Sequence, residues 1–186
     1  MTPDAAKRKA LGRHLSWLLR HGAVEAGLEM DAAGWAPLDA VLRRTGLDRA
    51  ALLAEVAADD KGRLEVAGDR IRCCQGHSLA GTPVRREALE ASWVRVDDRV
   101  DPLWHGTRRD AVAAIRREGL RPMDRSHVHL AGARDDRVGK RSGAQVLLCI
   151  DPEGLRAARV QLFRSPNGVF LVRAVPPACV IAVERA

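Results

Sequence analysis

At 186 residues and 46% hydrophobic content, the chain is long enough for one domain or two small ones and apolar enough to bury a core, which excludes a disordered polar chain. Thirty-one Lys and Arg against 24 Asp and Glu leave a formal charge of +7, a balance that favours polyanionic partners. No apolar run reaches the roughly 18 residues that span a membrane, and Met1 to Ala10 lacks the apolar stretch of a signal peptide, so a soluble, cytoplasmic protein without a membrane partner is expected.

Lys stands only at Lys7, Lys9, Lys61 and Lys140, so nearly all the positive charge is Arg. Arg grips phosphate through a planar fork that Lys lacks, although a GC-rich genome produces the same bias. The cysteines, Cys73, Cys74, Cys149 and Cys179, show no C-x-x-C spacing. Reduced thiols and no metal site are therefore expected.

In chain order, Leu11, Leu15, Leu18 and Leu19 recur at i, i+4, i+7 and i+8, which predicts a helix with one buried stripe. Arg20 and His21 fall at its end, where Gly22 is expected to stop it in the left-handed conformation. An anion can dock on the pair, and cations in a last turn also complement the helix dipole. Gly27 to Met30 alternates like a short strand. Pro37 opens a second helix that Gly46 stops, and Asp48 is placed to cap a third.

The period then changes to two. Leu64 and Val66, the turn Gly68-Asp69, and Ile71 and Cys73 predict a hairpin, so three helices and a hairpin give the layout of a winged helix. With Ile71 and Cys73 facing the core, Arg72 must face away and stand available to a ligand. Gln75 to Val96 reads as a connector carrying the domain boundary.

Beyond it lie a strand at Leu103 to His105, a helix capped by Asp110 and ended by Gly119, and a strand over His127 to Leu130 with both imidazoles on one face. Val146 to Ile150, Val160 to Phe163, Val169 to Ala174 and Val180 to Val183 are further strands, with a turn at Asn167-Gly168. The second half is thus a strand-rich α+β domain. Gly139-Lys140-Arg141-Ser142 lacks the earlier glycine of a phosphate-binding loop, because Arg134 stands there. No G-x-G-x-x-G follows a strand, so any dinucleotide must be held in another way. His105, His127 and His129 suit hydrogen bonds to a polar ligand better than a metal, since no carboxylate or thiolate stands at a helpful spacing.

Leu18-Leu19-Arg20-His21, Gly27-Leu28 with Gly34-Trp35, and Ile71-Arg72 with Gln75-Gly76-His77-Ser78 resemble the N-terminal signature of the NAD-dependent RNA 2′-phosphotransferases. Leu103-Trp104-His105-Gly106-Thr107, His127-Val128-His129-Leu130, Val138-Gly139-Lys140-Arg141 and Asn167-Gly168-Val169 resemble its C-terminal one, in the family's order.

That resemblance implies an α+β chain with a winged-helix RNA-binding lobe over 1–90 and an ADP-ribosyltransferase-like NAD-binding lobe over 91–186. It implies a two-step reaction on RNA with an internal 2′-phosphate. The phosphate first displaces nicotinamide from NAD+, and the 2″-hydroxyl of the same ribose then frees the RNA and ADP-ribose 1″,2″-cyclic phosphate.

The family's catalytic quartet falls on Arg20, His21, Arg72 and Arg141, and its NAD-pocket motifs on His105, Gly106, Thr107, His127, His129 and Val169. NAD is thus a consumed co-substrate, no metal is implied, and the chain is expected to act as a monomer. Arg72 and Arg141 are expected to matter most when the phosphate itself is attacked. Cys73-Cys74, Ala131 and Ser142 depart from residues common in the family, outside the quartet. Two rival readings are transfer of ADP-ribose to terminal phosphates of nucleic acid and a non-catalytic winged-helix nucleic-acid-binding protein.

Overall fold

Leu15, Leu18 and Leu19 are buried, so the apolar stripe is the inner face of helix α1, Pro3–Arg20. The structure, a computed structural model describing residues 3–136, 138–140 and 143–186, divides into two units, Met1–Leu89 and Glu90–Ala186.

In the first unit α1 is followed by β1 (Ala36–Pro37), α2 (Leu38–Thr45), α3 (Arg49–Ala57), β2 (Leu64–Ala67) and β3 (Arg70–Cys73). The strands form an antiparallel sheet in the order β1-β3-β2. Leu38, Val41, Leu52 and Ile71 close the core against the α1 stripe. The Asp48 carboxylate caps α3 by accepting from the Ala51 amide at 2.7 Å.

Two expectations for this unit are corrected. Gly22 is not left-handed: α1 ends at Arg20, and the His21 and Gly22 amides both donate to the Trp17 carbonyl. Glycine is needed there for room, because a Cβ at 22 would come within 2.5 Å of the Trp17 ring. Residues 27–30 form no strand, since Ala26 and Leu28 donate back to Gly22 and Ala23 and the segment turns on itself. The strand that pairs with the hairpin is β1 instead, with Ala36 opposite Ile71.

The second unit holds β4 (Val94–Arg95), β5 (Leu103–Thr107), α5 (Val112–Glu118), β6 (Val128–Leu130), β7 (Val146–Ile150), α6 (Pro152–Ala157), β8 (Phe163–Arg164), β9 (Phe170–Val172) and β10 (Val180–Arg185), while α4 (Arg86–Ala91) runs across the division in the chain. Two antiparallel sheets result, β10-β7-β5 and β4-β8-β9-β6. They meet where Trp104 of β5 exchanges backbone hydrogen bonds with Ala131, just past β6. β7 is the central strand, between β5 and β10, and is buried along its whole length, in keeping with its unbroken apolar run.

Asp110 does not cap α5 but sits inside a 3-10 turn, Arg109–Ala111, with its carboxylate paired to Arg108. The strand expected from Val160 begins only at Phe163, because the Val160 amide is used in closing α6 against Leu155. The fold is therefore mixed α and β with antiparallel sheets. Among the described residues no helix is long and apolar enough to cross a membrane.

Candidate functional site

In the first unit, residues 76–82 strap across the end of α1. The Ser78 amide donates to the Arg20 carbonyl at 2.8 Å, the Val24 amide donates to the Gly81 carbonyl at 3.2 Å, and the Thr82 hydroxyl closes the strap on the Ser78 carbonyl at 2.6 Å. A Cβ at position 81 would run into the His21 carbonyl oxygen, a backbone atom that cannot yield as a side chain does. Gly81→Ala is therefore expected to cost about 1–3 kcal/mol in denaturant unfolding and to displace the Arg20-His21 corner.

The Arg20 side chain lies along Gly76, where a Cβ would sit 3.1 Å from its Nε. Its Nε and Nη2 are buried with no hydrogen-bond partner among the described residues. His77 is completely buried beside it, and neither ring nitrogen has a hydrogen-bond partner there. The ring packs over Gly34, where a φ of +85° and the 2.7 Å at which a Cβ would meet Nε2 both demand glycine. Burial first, and then the charges of Arg20, Arg72 and His21, pull the His77 pKa down to about 3. The imidazole is thus neutral, and those three predicted residues gather electrostatically around it. His77 was legible only as part of a motif; the run of buried residues from Ile71 through His77 gives it a site.

Arg72 faces away from Ile71 and Cys73, but it is not open to solvent. It is 3% exposed, its Nε donates to Glu65 at 2.8 Å, and its guanidinium lies 4.5 Å from the centre of the Trp35 ring. Glu65 is its cross-strand partner in the hairpin register, and Trp35 arrives on the approach to β1. The expectation of an Arg72 simply available to a ligand is corrected accordingly. Arg72 is a rigid, covered cation, whereas Arg20 carries the unused donors. His21 is exposed at the corner, and Arg141 lies outside the described residues.

In the second unit His105 Nδ1 is 2.9 Å from the His129 carbonyl, which can only accept, so Nδ1 carries the proton. Burial holds the His105 pKa below its ordinary value; the carbonyl bond pulls it up and the Arg125 charge pushes it down. Its Nε2 is consequently an acceptor. His129 Nδ1 is 3.3 Å from Arg125 Nη1, a donor, so the His129 proton is on Nε2. The two rings thus carry opposite tautomers, with an acceptor at His105 Nε2 and a donor at His129 Nε2.

His127 belongs to a different set of contacts. Its Nε2 is 2.9 Å from Glu90, its ring stands edge-on to Trp93 at 4.9 Å, and Arg173 reaches the same carboxylate with two bonds of 2.6 and 2.8 Å. It precedes β6, so the expected strand with two imidazoles on one face is corrected. Gly106 and Thr107 lie in β5 opposite Leu147 and Val146. Val169 is buried, and its carbonyl accepts from the Ser165 amide at 2.9 Å and hydroxyl at 3.0 Å, closing the turn at Asn167-Gly168. A cavity of about 420 Å³ bordered by Leu103, Gly132 and Phe170 adjoins the same sheet junction. Gly139 lies close enough to the Leu130 and Ala131 backbone that a Cβ there would come within 2.6 Å. Among the described residues no group of three or more His, Cys, Asp or Glu is placed to hold a metal ion, and the four cysteines are buried thiols that form no disulfide.

The sequence of residues 6–174 matches the model of the RNA 2′-phosphotransferase, Tpt1 / KptA family. The chain belongs to that family. A "Probable RNA 2′-phosphotransferase" of Pseudomonas syringae pv. tomato is 36% identical over 180 residues, covering 91% of each chain. A protein of the same description from Streptomyces griseus is 36% identical over 196 residues, covering 94% of this chain and 96% of that one. Another from Thermococcus kodakarensis is 32% identical over 182 residues, with the same shares. The phosphotransferase family match extends across both units, so the Arg20-His77 cluster and the His105-His129 pair lie within it.

Proposed function

We propose that this phosphotransferase removes an internal 2′-phosphate from RNA by transferring it to NAD+, with release of nicotinamide and ADP-ribose 1″,2″-cyclic phosphate. The observation that carries the reading is the Arg20 guanidinium, whose buried Nε and Nη2 lack acceptors among the described residues, beside a neutral His77 equally unsatisfied there. A buried donor without a partner costs free energy, and a phosphate is the group that satisfies several at once. In this reading 1–90 is a winged-helix lobe that holds RNA, and 91–186 is an ADP-ribosyltransferase-like lobe that holds NAD+.

Arg20 binds the 2′-phosphate and stabilises the charge that accumulates on its non-bridging oxygens, with no proton to move. Arg72, fixed by Glu65 and Trp35, is the second guanidinium whose charge acts at His77. His21 orients the phosphate or ribose oxygens from the exposed corner. Neutral His77 fills the space behind Arg20 without adding a competing cation. NAD+, when bound, supplies the acceptor ribose and a leaving group that is already cationic. His105 Nε2 accepts from a ribose hydroxyl of NAD+, and the resemblance assigns Gly106, Thr107, His129 and Val169 to the same pocket. His127 acts behind β6, as a brace. The resemblance assigns Arg141, with Arg72, to the attack on the phosphate.

The test is incubation of the protein with NAD+ and a short RNA carrying one internal 2′-phosphate. Nicotinamide release stoichiometric with loss of the RNA phosphate is expected, and none with the matched 2′-hydroxyl RNA. Phosphate removal without NAD+, or tight RNA binding with no turnover, would overturn the reading; the second result would favour a non-catalytic binder.

A further inference from the structure

The outward face of α1 carries an aromatic group that the core does not use. While Leu15, Leu18 and Leu19 point inward, Trp17 is 39% exposed and His14 is exposed beside it, their rings inclined by 24° with centres 5.9 Å apart. The chain contains four Trp, two Phe and no Tyr, so an exposed indole is an uncommon use of a scarce residue. Of the other tryptophans, Trp93 is buried, Trp35 lies beneath Arg70 and Arg72, and Trp104 is partly buried in β5.

Trp17 is also held in place. Its six-membered ring rests on Gly22, where any side chain would collide with it, and its carbonyl accepts from both His21 and Gly22. The other exposed large apolar residues, such as Leu53, Met123 and Ile181, are aliphatic or thioether groups with no ring to stack.

Helical spacing puts Arg13 one turn before Trp17 and Arg20 one turn after it, on one line along the helix. Cation, flat ring, cation is the alternation by which single-stranded nucleic acid is held: guanidinium groups take phosphates while rings take the faces of bases. A protein partner would be met by apolar surface around the ring, whereas here the flanking groups are charged.

We propose that Trp17, with His14 beside it, is a stacking platform for an unpaired nucleobase adjacent to the nucleotide whose 2′-phosphate Arg20 binds. This inference rests on the RNA reading above. It predicts tolerance of base identity, since every base offers a flat face.

The experiment measures binding of the full chain to a fluorescein-labelled single-stranded RNA with one internal 2′-phosphate, by anisotropy, beside RNAs in which either nucleotide flanking the phosphate is abasic. Wild type is expected to bind one abasic strand about 5- to 150-fold more weakly than the intact strand, the range that stacking of one base supplies. Trp17→Ala and Trp17→Leu should lose a comparable factor on intact RNA and little more on that abasic strand, and Trp17→Phe should recover part of it. Equal wild-type affinity for intact and abasic strands overturns the platform with no substitution involved, as does equal loss by Trp17→Leu on both strands. An RNA that is dephosphorylated normally under those results leaves the functional reading standing without the platform. If wild type neither binds nor dephosphorylates the intact RNA, the reading and the platform fall together.

Discussion

Arg20→Met is expected to abolish removal of the 2′-phosphate while leaving the fold at least as stable as before. Deleting one preorganised donor to a developing oxyanion typically lowers turnover about a hundred- to a thousandfold, and Arg20 brings more than one. The stability expectation has the opposite sign from most substitutions of buried residues. In the free protein Nε and Nη2 are buried without acceptors among the described residues, so an apolar side chain of similar reach relieves a desolvation penalty of about 1 kcal/mol. For a chain of this size that corresponds to a rise of about 2–4 °C in Tm. In a companion measurement, 2′-phosphorylated RNA should raise the Tm of wild type and not that of Arg20→Met. A variant that lost several degrees and kept its turnover would show Arg20 to be a structural cation.

Glu90→Ala is the substitution expected to damage the second unit most through a single polar contact. The Glu90 carboxylate takes two bonds from Arg173 and one from fully buried His127. Without it Arg173, half exposed, turns to water, but His127 cannot. A loss of about 3 kcal/mol, or roughly 6–12 °C in Tm, is expected. The pH dependence has a definite sign. Burial by itself would raise the Glu90 pKa, but the bonds from Arg173 and His127 and their charges outweigh it and hold the value below the ordinary one. A carboxyl depressed in the folded state contributes stability that is present above its unfolded pKa and disappears as pH falls through the folded one. His77 acts in the same direction over a higher range. Its folded pKa of about 3 against an ordinary 6.5 means that the unfolded chain takes up a proton first, so stability falls as pH drops from 6.5 toward 3. Wild type should therefore lose stability in two acid steps, and Glu90→Gln should flatten the lower one in urea titrations at stepped pH. Two unchanged steps in Glu90→Gln would detach the brace from acid sensitivity.

These expectations draw unequally on sequence and structure. The α1 stripe, the Asp48 cap, the hairpin of β2 and β3 and the apolar strand β7 were each legible, because each is encoded by residues within a few positions of one another. Residues 27–30 misled for the same reason: alternation describes a segment's two faces but says nothing about whether a neighbouring strand exists to pair with it, and here the amides turned back on Gly22 and Ala23. Gly22 was rightly singled out for the wrong cause, since the collision that excludes a side chain there is with the Trp17 ring rather than with its own backbone.

Family membership, most of the chain's elements and the residue types of the candidate site are properties of local patterns and motif order, and they were open to inspection in one dimension. The condition of those residues was not. That Arg72 is sheathed by Trp35 and Glu65, that Arg20 Nε and Nη2 find no acceptor among the described residues, that His77 is sealed and neutral, and that His127 turns to Glu90 while His105 turns to the His129 carbonyl all depend on segments far apart in the chain. Burial and hydrogen-bond satisfaction are set by whatever covers a side chain, and the covering residues carry no mark of it in their own stretch of sequence.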